Sequence, residues 1–266
     1  MDLEVTLPPT AQTISPIMIT APTSHGGTAL LQRAICKSEN AICYGDNLFE
    51  QILSIVDWST SLIEQHRPRQ ALEEEALANA LTRSPLKWMP DLAPEFRQHM
   101  SSIFSVIYNI PHLAEQFALE QDRAVWAMIR QEIPAPLMND LLSMFPNGKA
   151  IIVHRNPFDT IADLLQDRPD SDVSSLCELW NMGMDGYLRF SDARALKLRY
   201  EDSTDDPAGF AEKVAEFTGI RGFPTSGIDA GNEAENEATH TLNDVRIGEI
   251  RTACADMLTV YYPELA

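Results

Sequence analysis

The chain has 266 residues, 44% of them hydrophobic and 22% charged, with a net charge of −19. That length buries a full core for one α/β domain, and the composition excludes a disordered or collagen-like chain. The charge opposes nucleic acid and anionic membranes at long range, so neither is expected as a partner.

No charged-then-apolar signal segment opens the chain, and no run of about 18 apolar residues appears. Cys36, Cys43, Cys177 and Cys254 form neither a CxxC pair nor a disulfide framework. The expectation is a cytoplasmic protein with free thiols and no zinc site. Residues 1 to about 13 read as a loose polar leader. Ile17-Met18-Ile19-Thr20 reads as a buried first strand, followed by the tight loop Thr23-Ser24-His25-Gly26-Gly27-Thr28 and a helix from Ala29. Ala41 to Tyr44 is a second short strand that stops at Gly45-Asp46.

From about 48 to 122 the pattern is helical, broken by Pro68, Pro85, Pro90, Pro94 and Pro111, and reads as a helical insertion. Glu73-Glu74-Glu75 within it reads as a solvated helix face. Val125 to Ile129 is strand-like, Leu137 to Phe145 is a short amphipathic helix, and Ala150-Ile151-Ile152-Val153 is the clearest central strand. Pro157 stands where a helix takes its first residue. A helix over about Ser171 to Arg189, a strand over Ala195 to Tyr200 and a helix from Pro207 closed by Gly219 follow. Ile228 to Ala238, acidic and without a cation, reads as a loop, and a last helix spans about Asp244 to Val260. Strands alternating with helices predict a three-layer α/β sandwich with a mostly parallel central sheet, as one domain over residues 1–266.

The loop after the first strand offers backbone N–H groups and a helix end to an anion, but no Lys-Ser/Thr follows its last glycine as in a Walker A sequence. Later come Phe145-Pro146-Asn147-Gly148-Lys149, a strand, His154-Arg155-Asn156-Pro157, and finally Leu198-Arg199-Tyr200-Glu201-Asp202. In this order the segments resemble the sulfotransferases that use 3′-phosphoadenosine 5′-phosphosulfate (PAPS), over about residues 17 to 220. The layout is most similar to the tyrosyl-protein and bacterial types. The resemblance implies a P-loop NTPase-like fold and transfer of a sulfuryl group from PAPS to a hydroxyl or amine of a small-molecule or peptide acceptor, with no metal.

It also implies roles. Gly26, Gly27, Thr28 and Ala29 hold the 5′-phosphate, and Arg155 holds the 3′-phosphate with Tyr200 near the adenosine. His25 stands where the family carries Lys or Arg, so turnover should weaken as it deprotonates. Asp46 stands in the place of a catalytic Glu as general base, and Arg130 in the place of a catalytic Lys, with Glu132 as reserve base. Plainer readings remain open: an exposed loop histidine, a helix-capping aspartate and a surface arginine. Phe104, Tyr108 and Phe117 are candidates for the acceptor wall by position alone.

One departure is severe. Eight residues after Arg155 the family has a Ser that donates to the 3′-phosphate; here the residue is Asp163. Either Asp163 points away, with Thr160 supplying a hydroxyl, or donor binding is altered. A sulfotransferase-like protein that has lost turnover, and a P-loop kinase-like phosphotransferase, are the competing expectations.

Overall fold

The computed structural model of the chain describes residues 13–66, 75, 78, 96–225 and 242–266. The expected leader (but for its last residue), the triple-glutamate run (but for Glu75) and the acidic loop all lie outside them. Five strands form one sheet: β1 (Ile17–Ala21), β2 (Ala41–Tyr44), β3 (Val125–Glu132), β4 (Lys149–His154) and β5 (Ala195–Arg199). Their order is β2-β3-β1-β4-β5, and every pairing is parallel.

Central strands of a parallel sheet are covered on both faces, which is why β1 and β4 are buried along nearly their whole length and mostly apolar. Alternate residues serve opposite layers. Met18, Ala150 and Ile152 face a cluster built on α2 (Asp46–His66), α3 (Phe96–Glu120) and α4 (Ala135–Met144). Ile17, Ile19, Ile151 and Val153 face α1 (Thr28–Lys37). The same face packs the later helix α8 (Pro207–Thr218), with the four-residue α7 (Asp202–Asp205) just before it. A third cluster joins α5 (Pro157–Asp167), α6 (Val173–Arg189), α9 (Asp244–Ala253) and α10 (Ala255–Tyr261). The expected last helix is thus two, divided at Cys254.

The described parts of the stretch expected as an insertion, α2 and α3, pack into the sandwich. Phe49 and Ile52 of α2, and Ile107, Tyr108 and Ala118 of α3, pack into the core beside Met18 and Trp126. Tyr108 is buried, donates from its hydroxyl to the Met144 carbonyl at 2.8 Å, and meets Phe145 edge-on. It is therefore core and not acceptor wall. Phe117 is half exposed, and the side chain of Phe104 lies outside the described residues.

The pairing of β1 with β3 slips between Ile19↔Ile129 and Ala21↔Glu132, one extra residue falling on the β3 side at Arg130-Gln131. Such bulges bend a strand and re-aim a side chain, and this one lies at the carboxyl edge, where open α/β sheets bind ligands.

Candidate active site

The loop leaving β1 is shaped by two residues in the left-handed region, His25 (φ 62°) and Gly27 (φ 99°). A Cβ at Gly26 would run into that of Ala21, and one at Gly27 would run into the ring of Tyr200. Only glycine allows this turn to lie so close to its strand and to that ring. Gly27 is the N-cap of α1, no side chain caps this helix, and its first turn holds no acid. Asn156, Asp172, Asp206 and Asn243 cap α5, α6, α8 and α9 with side-chain oxygens. The first amides of α1, at Thr28 and the exposed Ala29, are left for an anion from outside.

Arg155 follows β4 directly and is 5% exposed. Its backbone is fixed from three sides. Trp180 Nε1 donates to its carbonyl at 3.2 Å, the Tyr200 amide donates to the His154 carbonyl at 2.8 Å, and Asn156 donates to Glu201 Oε1 from both its amide and Nδ2. The guanidinium lies 4.9 Å from the centre of the Tyr200 ring, the ring that also covers Gly27. One aromatic side chain thus separates the glycine loop from a buried arginine.

Asp163 does not point away. Arg155 Nη1 donates to Asp163 Oδ2 at 2.6 Å, and Asp159 Oδ2 stands 3.8 Å from Arg155 Nε, a buried donor with no hydrogen-bond acceptor of its own. Burial works against the Arg155 charge, but Asp159 and Asp163 outweigh it and hold the guanidinium more firmly protonated than usual. Thr160, the hydroxyl expected as a substitute, is buried and donates to the Asn156 carbonyl at 2.8 Å. His25 Nε2 lies 2.8 Å from Asp167 Oδ2. Asp159, Asp163 and Asp167 stand one turn apart on α5, so a single acidic face meets both Arg155 and His25. By motif only Asp163 stands out in the sequence, although the fourfold spacing of the three is plain there.

At the other end of the carboxyl edge, Tyr44 of β2 pairs with Met128 of β3, and Asp46 and Arg130 each lie two residues further on. Asp46 is exposed at the first residue of α2. Arg130 donates from Nη1 to Glu50, one turn along the same helix, and from Nε to the Glu132 carbonyl at 3.0 Å. Glu132 therefore meets Arg130 through its backbone, and Glu50 is an acid that the motifs did not single out.

His154, just before Arg155, is buried against Tyr262, whose hydroxyl is 2.8 Å from Nδ1. Burial first, and then the charges of Arg199 and Lys197, press its pKa from 6.5 down to about 4. Above pH 6.5 the ring is neutral folded or unfolded. As pH falls from there towards 4, only the unfolded chain takes the proton, so stability drops with falling pH. The shift corresponds to about 3 kcal/mol at most. Urea unfolding of the wild type and of His154→Asn between pH 7 and pH 4.5 measures this, and the variant's stability should fall less steeply.

The family model that matches is that of the sulfotransferase family, over residues 16–224. The chain belongs to the sulfotransferase family. Among solved structures it is similar to the sulfotransferase domain of the Synechococcus PCC 7002 olefin synthase, at 16% identity and a TM-score of 0.48, with 95% of this chain and 98% of that one covered. It is also similar to the sulfotransferase STF9 from Mycobacterium avium, at 12% identity and a TM-score of 0.46, covering 94% of this chain and 77% of that one. The family assignment rests on the family model alone. No curated protein matches the chain. Among the described residues no helix is long and apolar enough to cross a membrane, and no cluster of His, Cys, Asp and Glu is arranged to hold a metal ion.

Proposed function

We propose that this single-domain transferase moves a sulfuryl group from PAPS to a hydroxyl or amine of a small-molecule or peptide acceptor. The observation that carries the reading is the uncapped glycine loop set one aromatic ring away from buried Arg155. Two features fit the donor: a helix start at Gly27 with no side-chain cap, and at Arg155 Nε a buried N–H without an acceptor. The sparse, free cysteines favour a reducing, cytoplasmic setting.

The donor supplies an activated sulfur–oxygen bond, broken in line as the acceptor atom bonds to sulfur. In this reading Asp46 takes the acceptor's proton, from an exposed position open to a substrate. Arg130, steadied by Glu50 and the Glu132 carbonyl, sets positive charge against the leaving oxygen. Gly26, Gly27, Thr28 and Ala29 receive the 5′-phosphate, with His25 as an added cation when protonated. The family match favours sulfuryl over phosphoryl transfer.

Incubation with PAPS and a panel of phenols, alcohols and amines, read by mass spectrometry for sulfated product, tests the reading. Asp46→Asn is expected to lower kcat by about 10²- to 10⁴-fold with donor affinity retained. A folded wild type that yields no product and releases no nucleotide from PAPS would overturn it.

A further inference from the structure

Arg155 and His25 face the donor side of the site, and both are already paired with acids of one helix. Arg155 holds Asp163 at 2.6 Å with Asp159 nearby, and His25 holds Asp167 at 2.8 Å. The Arg155–Asp163 pair is sealed from water: the two side chains are 5% and 11% exposed. A phosphate approaching Arg155 must break that pair or share the guanidinium with a carboxylate, and like charges brought together in a dry site oppose binding. A ribose hydroxyl meets no such obstacle, because a carboxylate accepts its hydrogen bond. Dinucleotide-binding folds make the same division at the ribose 2′ position, where an acid marks a free hydroxyl and an arginine marks a phosphate in its place. Here both kinds of group stand at one point.

We infer that Asp163 is the residue that sets donor specificity at the ribose 3′ position, occupying the place of a 3′-phosphate on Arg155 so that a donor with a free 3′-hydroxyl is accepted nearly as well as PAPS. The inference rests on the proposed nucleotide site. It extends the donor class to adenosine 5′-phosphosulfates with or without the 3′-phosphate. Asp163 touches Arg155 and acts through its charge, while the loop at Gly26 and Gly27, which would hold the 5′ end, is the same for both donors.

Calorimetric titration of the full chain with 3′-phosphoadenosine 5′-phosphate and with adenosine 5′-phosphate tests it. The wild type should bind the two within about tenfold of each other. Asp163→Ser, and more mildly Asp163→Asn, should raise affinity for the 3′-phosphorylated nucleotide relative to that for adenosine 5′-phosphate by about tenfold or more. A loss of packing alone would move both affinities together, so the ratio separates specificity from structure. The wild-type ratio needs no variant and stands even if a substitution fails to fold. A wild type that prefers the 3′-phosphorylated nucleotide by about a hundredfold or more overturns the inference and leaves the sulfotransferase site intact. So does an unchanged ratio in both folded variants. If the folded wild type binds neither nucleotide, the donor site and the inference fall together.

Discussion

Arg155→Ala should weaken binding of 3′-phosphoadenosine 5′-phosphate by about a hundredfold or more, the cost typical of truncating one partner of a buried charge pair. The loss has two parts: a cation is removed, and Asp159 and Asp163 then face the ligand without the guanidinium between them and it. The same imbalance acts without ligand. Asp163 is 9% exposed, and removing one partner of a buried ion pair costs about 3–5 kcal/mol, so the variant should also melt well below the wild type. The double variant Arg155→Ala/Asp163→Ala separates the two effects. Its stability should return most of the way, because pair and penalty vanish together, while nucleotide affinity recovers only in part. Thermal melts and calorimetry on the three proteins check both. A single variant as stable as the wild type would show that the pair carries far less energy than its burial implies.

Gly27→Ala should be nearly as damaging, by a different route. The residue has φ 99°, a conformation that costs a side-chain-bearing residue about 1–3 kcal/mol. Its new Cβ would also fall into the Tyr200 ring, which is pressed between the loop and the Arg155 guanidinium. Tyr200 cannot retreat without disturbing Arg155, so loss of stability and loss of nucleotide binding are expected together. Relieving the clash with Gly27→Ala/Tyr200→Ala should restore part of the stability, leaving the backbone strain behind. Urea denaturation of both variants measures the two contributions. If the single substitution proves neutral in stability and binding, the close packing of ring and loop is not what shapes the site.

The sheet was legible because its strands announce themselves twice over. Ala150 to Val153 can be buried on both faces only at the centre of a parallel sheet, and Gly219 (φ 80°) ends its helix where a left-handed residue is needed. The glycine loop, Arg155 and Tyr200 were legible for the same reason, since each sits directly on a strand end or helix start whose position was fixed. What the sequence hid was partnership. Nothing local says that Asp167 reaches His25, 142 residues away, or that Glu50 reaches Arg130 across 80. Glu201 likewise grips Asn156 from the turn after β5, and Trp180 holds the Arg155 carbonyl from α6. Tyr108 was misplaced because a helical pattern broken by prolines looks like an appendage, and only the packing of α2 and α3 on the sheet makes it core. Asp163 was seen as an obstacle to a phosphate, and its direct hold on Arg155 follows from the first two turns of α5.

The most direct test of sulfuryl transfer from PAPS is calorimetric titration of the folded full chain with 3′-phosphoadenosine 5′-phosphate, the product nucleotide. One-site binding at about 100 μM or tighter, lost in Arg155→Ala, is the predicted result. Absence of binding at millimolar nucleotide, by a chain shown to be folded, would contradict it.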